Sequence, residues 1–213
     1  RIKIVKLADE GIYDAMNQAI EYCVGQYVCH LNAGDVFSNG VVLANVRSHI
    51  QEGDFNLLYG FMFNKSTNSE VRYPAELSQF FLFRNTICHQ AQFLSADLLK
   101  RLGGYDVQYQ LRADWELCLR ANCAGLLRPK RISSVFVDYD GAGVSASSES
   151  AVLVQLRQER NQILRNNYSP IRLLFYKFLH ALTLVELRKK IKASGRFSFL
   201  NTILDRLNHY FAK

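Results

Sequence analysis

The stretch "DEGIYDAMNQAIEYCVGQYVCHLNAGD", residues 9–35, changes its hydrophobic rhythm halfway along, and that change decides the fold. Ile12, Met16, Ile20 and Cys23 recur at the spacing of one helix face, with Ala15 and Ala19 beside them. Asp9 precedes this face as a candidate cap, and Gly25 follows it as a candidate stop. "QYVCHLN" then reads as a buried strand, and "AGD" as the turn that ends it. The turn carries a lone acid, Asp35, directly after a glycine.

The rest of the chain repeats this alternation. "IKIVKLA" is rich in β-branched residues and predicts a strand before the helix. A helix follows Asp35 over roughly residues 40–51, and "NLLYGFMF" is a further strand. "NKSTNSE" reads as a turn, which makes a hairpin with "VRYPA". Residues 95–102 predict a short helix ending at Gly103-Gly104. "RADWELCLRANCAG" is another helix, "RISSVFVDYD" a strand, and "GAGVSASSES" a loop closing a body of residues 1–148. Strands alternating with helices predict an α/β layered domain with a largely parallel sheet. Ligands of such sheets sit beyond the carboxyl ends of the strands, so Asp35 is expected to face a crevice.

Residues 149–213 differ in character. Residues 151–213 carry 12 Lys+Arg against 3 Asp+Glu, whereas the residues before 151 carry 14 against 16. A polar helix over 149–167 is broken at Ser169-Pro170. "IRLLFYKFLHALTLVELRKKIK" is apolar with basic ends but not cleanly two-faced, and Leu200, Ile203, Leu204, Leu207 and Phe211 form a stripe. Two readings stand side by side: helices packing on the body or on a second chain, or an interfacial anchor on an anionic membrane surface. No apolar run is long enough to span a bilayer. The body lacks a basic groove with interleaved aromatics, which argues against a nucleic-acid partner. Five scattered cysteines without a CxxC pair predict free thiols in a reducing cytoplasm, and their spacing matches no common zinc module.

Several side chains have a chemical and a bland reading. Asn32 and Asp35 offer oxygen ligands for Mg²⁺ or Mn²⁺, and Gly34 permits close backbone approach. The same residue types also dominate ordinary turns. Asp114 suits a general base facing the crevice, or simply a negative charge at a helix start, with Glu116 as its competitor. His89 in "CHQ" is a ligand or a hydrogen-bonded structural residue. Gly103 and Gly104 are a helix stop, and Gly141, Gly143 and Ser145 a turn, unless a ligand lies against them.

The motifs "DEGIYDAMNQAI", "YVCHLNAGD", "CHQAQF", "LGGYD", "RADWELCLR" and "GAGVS" occur in an order that resembles the family 2 glycosyltransferases of GT-A fold. The subgroup most similar builds exopolysaccharide, colanic-acid-type or O-antigen repeat units in bacteria. The resemblance spans roughly residues 1–150 and implies a Rossmann-type mixed sheet flanked by helices, with a helical, basic appendage behind it. It implies a nucleotide-sugar donor, a glycan or lipid-linked glycan acceptor, inversion at the anomeric carbon, and a cytoplasmic protein peripheral on the inner membrane face. "LNAGD" matches the family's DxD-type motif, which makes Asp35 the ligand of a divalent metal, Mg²⁺ or Mn²⁺; Asn32 and Gly34 stand where carboxylates are usual. Asp114 matches the catalytic base, with Ala113 in place of the usual preceding carboxylate. Asp14 and Asn17 match the helix lining the donor site together with Asn32. His89, Gln90, Gly103 and Gly104 match segments near the donor sugar and acceptor. In this family a first strand and loop that bind the base precede a segment like "IKIVKLA", so residues are expected to be missing ahead of Arg1. The alternative is a truncated or non-catalytic GT-A-like module in a membrane-associated assembly.

Overall fold

The computed structural model describes residues 4–6, 8–141 and 149–183. Six strands form one sheet: β1 (Tyr27–Val28), β2 (Val36–Phe37), β3 (Leu57–Asn64), β4 (Ser69–Val71), β5 (Gln92–Ser95) and β6 (Pro129–Tyr139). Seven helices flank it: α1 (Ile12–Glu21), α2 (Val42–Ile50), α3 (Gln79–Arg84), α4 (Ala96–Arg101), α5 (Ala113–Cys123), α6 (Ser150–Asn167) and α7 (Pro170–Leu182). The strand order is β1-β5-β3-β6-β2, with β4 beside β3. Only β3 and β6 pair in parallel; the other pairings are antiparallel. The largely parallel sheet expected from the alternation is therefore corrected to a mixed one. The reason is local: β3 turns straight back into β4, and β5 runs antiparallel to both β3 and β1.

β3 is the spine. Leu57, Leu58 and Tyr59 are fully buried, as a strand covered on both faces must be. β6 runs alongside but is longer: Tyr59 faces Arg131, yet Phe61 faces Val135. β6 thus inserts extra residues opposite Gly60, a bulge that lets Phe136 lie against the glycine. A side chain at Gly60 would collide with that ring.

The front of the chain departs from expectation. Residues 4–6 and 8 form no strand, and Ile4 and Val5 are exposed, because no described strand lies alongside to take their backbone groups. Helix α1 starts two residues later than an Asp9 cap would place it. Gly11 is its N-cap, Asp9 accepts the Gly11 N–H, and Asp14 accepts the Glu10 N–H. It ends at Glu21 with Tyr22 as C-cap, ahead of Gly25. Its buried residues are Tyr13, Met16 and Ile20, while Ile12 is exposed. The short helix before Gly103-Gly104 is α4, capped by the Ser95 hydroxyl, and both glycines adopt positive φ at its end.

Beyond residue 149 the chain packs back on the body. Ile163, Leu164, Tyr168 and Leu179 share the core with β3, α3 and α5. Glu159 on α6 accepts the Gln110 and Leu111 N–H groups, at 3.0 Å each, just ahead of α5. Arg160 donates to the Phe83 carbonyl and lies over the Trp115 ring. Helix α7 is capped by Ser169, begins at Pro170, and sets Tyr176 among Phe80, Phe83 and Tyr168. No helix among the described residues is long and apolar enough to cross a membrane. The stripe at 200–211, the basic "LRKKIK" run, Gly143 and Ser145 lie outside the described residues.

Candidate active site

A short segment, the 3₁₀ turn His89–Ala91 ahead of β5, organises the site. Its first two side chains each reach one of the acids. His89 Nδ1 lies 3.1 Å from Asp114 Oδ2. Gln90 Nε2 donates to Asp35 Oδ2 at 2.7 Å. The acids singled out in the sequence, Asp35 and Asp114, are thus each one hydrogen bond from adjacent residues.

Asp114 sits in the first turn of α5, where its Oδ1 accepts the Trp115 N–H at 2.8 Å. The helix-start role is therefore present, and the side chain does more. Tyr13 of α1 donates its hydroxyl to the same oxygen at 3.0 Å, and His89 occupies the other. Burial pushes the Asp114 carboxyl up, but the hydrogen bond and charge of His89, the Trp115 N–H and the Tyr13 hydroxyl outweigh it and hold the acid below its usual range. Asp114 is therefore an anion at neutral pH. Tyr13, buried and beside that anion, is held well above the usual phenol range and stays a donor.

Asn32 Nδ2 approaches His89 Nε2 at 3.3 Å. An amide nitrogen can only donate, so a neutral His89 accepts at Nε2 and keeps its proton on Nδ1, directed at Asp114, and a protonated ring presents the same Nδ1–H there. Asn32, His89 and Asp114 form one chain of donors ending on a carboxylate. His30 lies next to this chain, edge-on to Tyr105. Burial, with the neighbouring His89 adding to it, pushes its imidazole down to about 4.

Asp35 ends the turn after β1, where its N–H reaches back to the Asn32 carbonyl and Gly34 adopts φ +94°. Besides Gln90, it accepts the Asp140 N–H through Oδ1 at 2.9 Å. The Asp140 side chain overlies the same turn: a β-carbon built on Gly34 would stand 3.3 Å from its Oδ2. Asp35, immediately ahead of β2, and Asp140, immediately after β6, are thus joined by one hydrogen bond across the same turn. Hard oxygen donors of this type fit Mg²⁺ or Mn²⁺, which take one or two protein carboxylates and complete their shell with waters and phosphates. Among the described residues there is no cluster of three or more His, Cys, Asp or Glu suited to hold a metal unaided.

The remaining sequence candidates occupy supporting places. Asn17 clamps Tyr105, donating to its carbonyl and accepting its N–H, both at 2.8 Å. Gly104 touches this clamp, and a β-carbon there would strike the Asn17 carboxamide. Asp14 accepts from Glu10 and Gln18 at the start of α1. Gly103 and Gly104 turn the chain after α4, and Arg120 pins that turn by donating to the Leu102 and Gly104 carbonyls. Glu116 pairs with Arg120, away from the Asp114 chain. Two residues were not singled out in the sequence, Tyr13 and Asp140. Asp140 had a signal: like Asp35, it is an acid directly after a strand and beside a glycine.

No family model matches the chain. It is 35% identical over 155 residues to an uncharacterised glycosyltransferase of Mycobacterium tuberculosis, which covers 70% of this chain and 58% of that protein. It is 31% identical over 144 residues to a PGL/p-HBAD biosynthesis glycosyltransferase of Mycobacterium bovis, covering 67% of this chain and 56% of the relative. The chain thus spans little more than half the length of these relatives. Among solved structures, S. aureus TarS aligns with a TM-score of 0.51 at 14% identity, over 73% of this chain and 49% of that one. A second TarS structure, in complex with UDP, aligns with a TM-score of 0.51 at 13% identity over 73% of this chain and 50% of that one. Sequence and fold agree: the chain is a relative of bacterial glycosyltransferases with a GT-A-like mixed sheet flanked by helices, as its motifs implied.

Proposed function

We propose that this relative of bacterial glycosyltransferases moves a sugar from a nucleotide-sugar donor to a glycan or lipid-linked glycan acceptor, with inversion, in the building of a bacterial surface polysaccharide. The reading rests on one observation. A carboxylate held as an anion, Asp114, and a carboxylate pair suited to a phosphate-bound cation, Asp35 with Asp140, flank one segment, His89–Gln90. The TarS complex with UDP supports a nucleoside diphosphate as the donor's carrier for this fold.

Asp114 takes the proton as the acceptor O–H bond breaks. The freed oxygen forms a bond to the anomeric carbon from the face opposite the leaving group. The bond from that carbon to the diphosphate breaks, and its electron pair departs with the diphosphate. His89 keeps Asp114 oriented and unprotonated until the acceptor arrives. Asp35 and Asp140 would hold Mg²⁺ or Mn²⁺, which supplies positive charge against the departing diphosphate.

Incubating the full chain with a panel of nucleotide sugars, Mn²⁺ and a glycan acceptor tests this. Asp114→Asn should lower turnover by about 10²–10⁴-fold with the circular-dichroism spectrum intact. In calorimetry, Asp140→Ala should weaken Mn²⁺-dependent binding of the nucleoside diphosphate. Near-normal turnover in Asp114→Asn removes Asp114 as the base; unchanged binding in Asp140→Ala removes the metal assignment.

A further inference from the structure

Helix α7 has two apolar faces, and the body uses only one. Leu173, Tyr176 and Leu179 point inward onto α3 and α6. Successive helical residues turn by about 100°, which places Ile171, Leu174, Phe175 and Phe178 together on the far side. These four are 83%, 70%, 53% and 59% exposed. Single exposed apolar residues are ordinary, but four in register on one helix form a contiguous patch. This also explains why the sequence pattern of the segment is not cleanly two-faced: two apolar stripes on opposite sides add up to a nearly uniform helix.

Lys177 falls on one border between the exposed stripe and the docked face by the same angular count, and exposed Arg172 lies past the other, next to Leu179, where it donates to Gln79 Oε1 at 3.2 Å. From Arg160 to Thr183 there are four cations, Arg160, Arg165, Arg172 and Lys177, and no acid. An apolar stripe in a cationic segment is complementary to a surface with an apolar interior and an anionic rim. With no described helix able to cross a bilayer, the fit is to lying on one.

We infer that the face of α7 formed by Ile171, Leu174, Phe175 and Phe178 inserts into the interface of an anionic lipid surface, with Lys177 at its border. The inference deepens the transferase reading, since a chain held on a lipid surface meets a lipid-linked acceptor there. The surface itself stands on α7 alone.

Co-sedimentation of the full chain with vesicles of equal parts phosphatidylglycerol and phosphatidylcholine tests it. The chain should pellet with these vesicles, less so with phosphatidylcholine alone and less so in high salt. The triple variant Leu174→Asn/Phe175→Asn/Phe178→Asn should lose binding by at least about tenfold while keeping its melting temperature. Lys177→Glu should weaken binding only to the anionic vesicles. Failure of the full chain to bind, or equal binding by the triple variant, overturns the inference. So does a marked fall in melting temperature, which would mean that the chain's own residues cover the face. A dimer lost in the triple variant without any change in vesicle binding would make the face a contact between copies. Hydrolysis or transfer of a soluble nucleotide sugar is measured in parallel. Vesicle binding without any turnover would sink the transferase reading and leave this one standing.

Discussion

At the scale of single residues, His89 decides how Asp114 behaves. It places an N–H on the carboxylate, and Asn32 fixes the tautomer that makes this possible. The other groups facing Asp114 are the Tyr13 hydroxyl and the Trp115 N–H, with the Cys88, Tyr73, Tyr105 and Cys118 side chains farther off and uncharged at neutral pH. Arg112 is the nearby cation on the α5 side. Removing the His89 donor leaves burial less opposed, so the Asp114 pKa must rise. A base works only when ionised, so activity is lost as pH falls through that pKa. His89→Ala should therefore move the acid limb of the pH–rate profile to higher pH and cost about 10²-fold in kcat through lost positioning. His89→Asn, whose amide can stand near Nδ1, should restore much of the limb. An unmoved limb in His89→Ala would separate His89 from Asp114 in function. The bland and chemical readings of Asp114 turn out to be compatible. One oxygen serves the helix start and Tyr13, and the other faces His89.

At the scale of elements, legibility followed hydrophobic rhythm. The long apolar run of β3, the helix pattern of α5 and the Ser95-to-Gly103 frame of α4 all lie where their sequence periodicity or caps put them. What escaped was short or set by partners. β2 and β5 have two and four residues, too few for a period to show, and they are strands only because β6 and β3 run beside them. "ELSQFFLFR" hides α3, whose start comes from a Ser78 cap and whose aromatics pack against α7, a neighbour far along the chain. The candidate site was legible as residue types but not as a network. Nothing in the spacing of Asn32, His89 and Asp114 announces that they touch. Gly60 belongs to this scale too, since its need is set by Phe136 on the adjoining strand. Gly60→Ala should destabilise the fold by about 1–3 kcal/mol in denaturant titration, as overpacking between buried strands does. Adding Phe136→Leu should recover part of that loss. Wild-type stability in Gly60→Ala would contradict the bulge packing.

At the scale of the whole molecule, the C-terminal helices support the site as well as cover it. Glu159 caps the backbone at Gln110 and Leu111, and Arg112 returns a bond to the Leu156 carbonyl. This fastens α6 to the residues immediately ahead of Asp114. Glu159→Ala would leave two partly buried N–H groups without their acceptor, at about 1–3 kcal/mol by the usual cost of unmet donors. It should lower the melting temperature and reduce turnover together, whereas a purely peripheral helix would leave turnover untouched. The parallel ladder of β3 with β6 carries a different consequence. Asn56 at its start bonds Arg128 across 72 residues of chain, and Tyr13 meets Asp114 across 101. Contacts so distant are slow to form, because loop closure must be met before they reward it. During synthesis the strand Leu57–Asn64 emerges long before β6 can sit against it. Asp114 lies inside the loop that this late pairing closes. Folding rate and the appearance of the site are therefore one event, and a nascent chain halted before residue 139 holds an apolar strand with its central partner still unmade.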